Sequence, residues 1–154
     1  MPDTVQPEII ALARRIASAH SLDPSVVCAV IEQESAWNPW AVRYEPAFLS
    51  RYVAPLYTAG KLSATETYTR SMSWGLMQVM GQVAREFGFA GNSLPELCDP
   101  ATGVELGCLV LAKRLARAHG DVAAALLAWN GGANPNYPSE VLARIRNYSA
   151  NPVK

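Results

Sequence analysis

Apolar residues recur at helical spacing along most of this chain. Ile9, Leu12, Ile16 and Ala19 form one stripe, with Glu8, Arg14 and Arg15 on the other side, which predicts a first helix from about Pro7 to Ala19. A short Ser21-Leu22 link then leads into Asp23–Pro39, where Asp23 is a good N-cap and Pro24 suits the first helical position. Asn38-Pro39 discourages continuation past about Ala36, so an antiparallel helical pair is expected. Further on, Leu76, Val79 or Met80, Val83 and Phe87 predict a core helix that stops at Gly88. Asp99-Pro100 opens another, to about Ala118, with Val104, Cys108, Leu111 and Leu115 on one face and Lys113, Arg114 and Arg117 on a solvated one. Gly103 and Gly107, four apart on this helix, would admit a neighbouring helix closely. Asp121 caps the next helix, whose Val122, Ala125, Leu126 and Trp129 face inward before Gly131-Gly132 break it. Ser139 is the expected cap of the last, with Val141, Leu142, Ile145 and Tyr148 buried and Ser149–Lys154 frayed.

Between Trp37 and Trp74 the pattern changes. Trp40, Tyr44, Phe48, Tyr52, Tyr57 and Tyr68 add to those two tryptophans, and helical periodicity gives way to short elements. Ser63-Ala64-Thr65-Glu66 matches a capping box and predicts a short helix to about Met72, and Pro46 starts another, through Tyr52, that Pro55 ends. Rings pack on the C–H faces of sugars, so this stretch reads either as the wall of a saccharide cleft or as a satellite core. The fold class is mainly α.

With 154 residues, half of them apolar, the chain suits one buried core, and a single domain over residues 1–154 is expected. Thirteen basic and thirteen acidic residues balance, which gives no electrostatic track for nucleic acid or an anionic membrane. MPDTVQPEII lacks a basic region followed by a long apolar run, and no segment has the roughly 20 apolar residues of a membrane span. The expectation is a product made in the cytoplasm without a signal peptide, not inserted in a membrane, and monomeric. Cys28, Cys98 and Cys108 have neither CxxC spacing nor a histidine cluster, so they read as buried thiols, with no metal and no cofactor expected. His20, at a helix end, reads as structural.

The candidate chemistry lies on the second helix. Val27, Val30, Ile31 and Glu34 fall three, four and seven apart, which puts Glu34 on the apolar face and Glu32 nearly opposite. Desolvation and the carbonyl end of its own helix both disfavour the Glu34 carboxylate. A glutamic acid kept neutral near physiological pH can protonate a leaving oxygen, the general-acid half of glycosidic cleavage. A solvated rim glutamate is the other reading. Gly75 permits close approach to the backbone, and Gln78 offers both donors and acceptors.

Three blocks taken together, Glu34-Ser35, Gly75-Leu76-Met77-Gln78 and Ala128-Trp129-Asn130-Gly131-Gly132, resemble the soluble lytic transglycosylase family, relatives of goose-type lysozyme, over about Leu22 to Leu142. The resemblance implies an α+β lysozyme-like fold with a cleft and an enzyme that cleaves the β-1,4 bond between N-acetylmuramic acid and N-acetylglucosamine in peptidoglycan glycan strands. It implies Glu34 as the catalytic acid and then base, closing a 1,6-anhydro ring without metal. Ser35 and Gln78 match positions that line the saccharide site, Met77 a cleft-wall residue, Asn130 the asparagine of the family's AYN block and Tyr137 the tyrosine of a late block.

Two departures stand out. Trp129 replaces a tyrosine whose hydroxyl is expected near the glutamate; an indole donates but does not accept, so that bond is either lost or supplied by Tyr137. The segment of about residues 41–73 is also longer than usual, an aromatic-rich insertion between the two motif-bearing helices. It raises the alternative of a lysozyme-type hydrolase with a second carboxylate, Glu45 or Glu66, although Arg43 beside Glu45 and the capping position of Glu66 give each a structural role. A non-catalytic wall-binding or tail-structural module is a third reading. Without an export signal, the product would reach the periplasmic or cell-wall peptidoglycan as a phage endolysin released through a holin, as part of a virion, or as a bacterial enzyme whose signal is missing here.

Overall fold

The computed structural model describes residues 7–149. In chain order these form α1 (Pro7–Ala19), α2 (Pro24–Ser35), β1 (Val42–Tyr44), α3 (Pro46–Phe48), a π-helical turn (Leu49–Val53), α4 (Ala54–Thr58) and α5 (Ala64–Arg70). There follow β2 (Met72–Trp74), β3 (Val79–Met80), α6 (Gly81–Glu86), a 3-10 segment (Leu94–Cys98), α7 (Pro100–Arg117), α8 (Val122–Trp129), α9 (Tyr137–Leu142) and a 3-10 turn (Ile145–Asn147). The architecture is mostly helical with one small sheet, an α+β lysozyme-like arrangement. The expectations for the signal peptide and the frayed tail fall largely on residues 1–6 and 150–154, outside the described residues.

Helix α2 is the packing axis. Val27, Cys28, Ala29, Val30 and Ile31 have no exposed surface, and a helix apolar on all sides must be enclosed. Its neighbours are α1, through Ala13 and Ala17, and α9, through Val141, while α7 packs on α1 and α8. Each large aliphatic side chain so buried stabilises the fold by about 1.5–3 kcal/mol. The Asp23 carboxylate caps the start by accepting from Ser25 N at 2.8 Å. At the other end Ala36 and Trp37 both take left-handed backbone, φ 48° and 66°. This strained exit is held by Trp37, whose buried indole donates to the Tyr148 hydroxyl at 2.8 Å.

The three strands pair antiparallel in the order β1-β2-β3, with Arg43 opposite Ser73, Ser73 opposite Met80 and Trp74 opposite Val79. The core helix expected through Leu76, Val79 and Val83 is therefore a hairpin followed by the short α6. Gly75 (φ 70°) and Gln78 (φ 51°) leave the helical region, and Leu76 and Met77 are buried from the turn itself. A Cβ on Gly75 would lie 2.4 Å from the Leu97 carbonyl oxygen, so only glycine lets the turn meet the 3-10 segment.

Other differences are local. Pro55 does not end a helix but sits in the first turn of α4, where its missing N–H costs nothing. Ser63 caps α5 by accepting from Glu66 N, but the Glu66 side chain turns to arginines instead of completing the box. The last helix starts at Tyr137 after Asn136, and Ser139 lies inside it, donating to the Asn136 carbonyl. Leu142, expected in the core, is exposed. Gly103 and Gly107 admit the Leu97 carbonyl and the Met77 sulfur, not a helix. The three cysteines are free and buried, as expected, with burial pushing Cys28 up to about 11 and Cys108 to about 12. His20 Nε2 meets Glu105 Oε1 at 2.6 Å. No described helix is long and apolar enough to cross a membrane.

Candidate active site

Glu34 occupies the last turn of α2, just before the left-handed exit, with its carboxyl half-buried. Two donors meet on one oxygen. The Tyr137 hydroxyl from α9 donates to Oε1 at 2.5 Å, and the Trp129 indole N–H from the end of α8 donates to the same atom at 3.2 Å. Among the described residues nothing donates to Oε2. Burial drives the Glu34 pKa above its ordinary value; the bonds from Tyr137 and Trp129 and the charge of Arg43 oppose this without cancelling it. The Tyr137 hydroxyl is itself pushed well up by burial and by the neighbouring carboxyl, so it stays a donor.

Around the carboxyl is a cleft of about 170 Å³. The sheet contributes Arg43, Ser73, Gln78 and Met80, α6 contributes Val83, and α7 and α8 contribute Val110, Arg114, Trp129 and Asn130. A larger groove, about 770 Å³, runs between Trp37, Trp40, Pro95 and Asp99 and contains none of the expected site residues. The smaller cleft is the candidate site, because it holds the perturbed acid.

The expected site residues divide into those that face this cleft and those that build it. Trp129 and Asn130 line it, and Tyr137 holds the acid from behind. Gln78 also lines it, yet its amide is committed internally: Oε1 accepts from Ser73 Oγ at 2.7 Å, and Nε2 donates to the carbonyls of Ala41 and Gly75, each at 2.9 Å. Ser35 Oγ donates to the Leu76 carbonyl at 2.8 Å, with the Ile31 carbonyl also in reach at 3.1 Å, so it ties the acid's helix to the 75–78 turn. Met77 is 1% exposed and packs under the cleft, not on its wall. Asn130 Oδ1 accepts from Asn134 N at 2.8 Å, which folds the link between α8 and α9.

Neither candidate second carboxylate is free. Glu45, following β1, accepts from Arg43 Nε at 2.7 Å. Glu66 lies outside the cleft lining and is gripped by Arg70 Nε at 2.9 Å and Arg85 Nε at 2.7 Å. Burial alone would raise the Glu66 pKa, but the two guanidiniums outweigh it and hold the carboxyl below its usual range. No group of three or more His, Cys, Asp or Glu side chains suited to a metal occurs among the described residues.

The model of the transglycosylase SLT domain family matches residues 11–147, nearly all of the described chain. This chain belongs to that family. A protein named transglycosylase, from Enterobacteria phage PRD1, is 27% identical over 137 residues, covering 84% of this chain. The match spans 40% of that relative's own length. No solved structure matches the chain.

In this SLT family member the cleft carries two cations outside the expected site residues. The sequence suggests Arg43 only as a partner of Glu45 and Arg114 only as part of a solvated face, whereas both line the cleft. A signal was present for Arg114. It follows Gly107 by seven and Val110 by four, the spacing that puts the three positions on one side of a helix. The indole of Trp129 also proves competent where a tyrosine was expected: Trp129 and Tyr137 both reach the acid.

Proposed function

We propose that this chain is a peptidoglycan lytic transglycosylase that cleaves the β-1,4 bond between N-acetylmuramic acid and N-acetylglucosamine. The observation that carries this reading is a half-buried Glu34, its pKa raised by burial, held on one oxygen by Tyr137 and Trp129 in a cleft where no other carboxylate is free. Protonated Glu34 gives its proton to the glycosidic oxygen as the C1–O bond breaks and the bonding pair leaves with that oxygen. The resulting carboxylate then takes the proton of the muramoyl 6-hydroxyl as that oxygen bonds to C1, closing the 1,6-anhydro ring. Glu34 ends protonated, ready for another turnover, and no water is consumed. Tyr137 and Trp129 suit both halves, because donors fixed on Oε1 steady the carboxylate once it forms and leave Oε2 for the substrate.

Hydrolysis of the same bond is the second reading, because Glu45 adjoins Arg43 on the cleft wall. Tied to Arg43, Glu45 is less suited to attack or to activate water than a free carboxylate. The phage relative fits a role in wall degradation during infection, as an endolysin released through a holin or as a virion component. In either case the enzyme acts on peptidoglycan outside the inner membrane.

Mass spectrometry of muropeptides released from purified peptidoglycan tests the reading. Wild-type protein should yield 1,6-anhydro-N-acetylmuramic ends and Glu34→Gln should not. Reducing ends, heavier by one water, would overturn it in favour of hydrolysis.

A further inference from the structure

The cleft carries two cations in unlike states. Arg43 is neutralised by Glu45 and is also the cation that acts on Glu34. Arg114, near the end of α7, faces the same space beside Val110 and Asn130. Among the described residues its side chain makes no hydrogen bond and no ion pair, and its Nε is buried without a partner. Arg144 Nε is likewise buried without a hydrogen bond, but the guanidiniums of Arg70, Arg85 and Arg144 each face a glutamate within 4 Å, and that of Arg114 faces none among the described residues.

A guanidinium held without acceptors at a cleft wall is costly to the folded protein alone. Its planar fork of five donors matches a carboxylate bidentately. The buried Nε fixes the stem of the side chain among its neighbours, and the terminal nitrogens, which are not among the buried orphans, are left open toward the cleft that Arg114 lines. A charged acceptor for them can come from what fills the cleft. A neutral sugar hydroxyl would satisfy one donor but not the charge.

We propose that Arg114 is a carboxylate receptor in the substrate cleft, engaging an acidic group carried by the glycan strand and giving the enzyme preference for acidic over neutral strands. This rests on the peptidoglycan reading above. Two sources share the chemistry: a carboxylate of the stem peptide, or the lactyl carboxylate that is free on strands stripped of peptide. Arg114 is on this account a specificity residue, and bond cleavage stays with Glu34.

Kinetics on three substrates test it: peptide-bearing strands, the same strands with their carboxylates amidated by carbodiimide and ammonia, and amidase-stripped strands. Arg114→Gln should raise KM about tenfold on the acidic strand that carries the recognised carboxylate, the loss expected of one charge-assisted hydrogen bond, while kcat holds. Wild type and variant should converge on amidated strands. A defect confined to stripped strands assigns the lactyl carboxylate, which is amide-bonded wherever the peptide is present, and one confined to peptide-bearing strands assigns the stem peptide. Arg114→Lys, keeping charge but not the fork, should fall between. Equal defects on acidic and amidated strands, or none on either acidic substrate, would overturn the proposal. The same comparison as equilibrium binding, with Arg114→Gln added to Glu34→Gln, reads the receptor without any cleavage. A failure of the cleavage reading is thus separate from a failure of the Arg114 reading.

Discussion

Trp129 donates its indole N–H to Oε1 of Glu34 at 3.2 Å, from the end of a helix whose residues lie nearly a hundred positions further along the chain. The bond favours the charged form of the acid, so it acts against the burial that raises the Glu34 pKa. Trp129→Phe removes that donor and keeps much of the ring. The pKa of Glu34 should rise further, and the alkaline limb of the pH–rate profile, where the acid loses its proton, should move to higher pH. An unmoved limb with a lower rate would mean that Trp129 serves only as a wall.

Glu34→Gln should abolish cleavage, by at least about 10²-fold if the group is the general acid. It should also stabilise the protein at neutral pH. The native pKa of Glu34 lies above the unfolded one, so wild-type stability is fully present below the ordinary glutamate range and is lost as pH rises through the native value. Glutamine does not titrate, and its carbonyl can still accept from Tyr137 and Trp129. The melting temperature of the variant should exceed that of wild type at pH 7, with the gap closing as pH falls toward the unfolded-state value.

Glu66→Gln should behave in the opposite way. Arg70 and Arg85 hold this carboxyl below its usual pKa, so its contribution to stability is present above the unfolded value and lost as pH falls through the native one. With the group about three-quarters shielded, the loss should be about 1–2 kcal/mol at pH 7, shrinking in acid. Turnover below the melting range should match wild type, because the Arg70 bridge lies within α5 and the Arg85 bridge joins α5 to α6, both outside the cleft lining. A large fall in kcat with unchanged melting would return Glu66 to the list of catalytic groups.

The strained end of α2 gives a further test. Ala36 pays for left-handed backbone that glycine adopts freely. Ala36→Gly should gain about 0.5–1 kcal/mol after the entropy that glycine adds to the unfolded chain, a rise of about 1–4 °C in the melting temperature. A fall would mean that the turn is held by contacts of the Ala36 methyl.

Helices α1, α2, α7 and α8 were legible because each combines an apolar stripe with punctuation at its ends, and Asp23, Asp99 and Asp121 all cap as expected. Glu34 was legible for the same reason, since its position follows from the helix that carries it. The 72–80 hairpin was not. Leu76 and Val79 mimic helical spacing because a tight turn drives Leu76 inward and a strand buries Val79, and nothing local announces that Gln78 will adopt a left-handed backbone. The resemblance puts Gln78 and Ser35 at positions that line the saccharide site, whereas most of their polar capacity here fastens the turn to its surroundings. Such commitments depend on residues distant in the chain. The charge of Arg114 suggests a solvated face, while its register with Gly107 and Val110 turns it toward the cleft.

The two donors that hold Glu34 stand on either side of a glycine pair. Trp129 comes just before Gly131-Gly132 and Tyr137 shortly after, and both glycines have left-handed backbone with open space where a Cβ would be. Asn130 and Asn134 fold the intervening link, and Asn134 joins Gln33 of α2 in contacting Glu140. How tightly an acid on one helix keeps its proton is thus set by the length and curvature of a short connection between two others. Insertions or deletions between Asn130 and Asn136 would retune the reagent itself while leaving every atom of the glutamate unchanged.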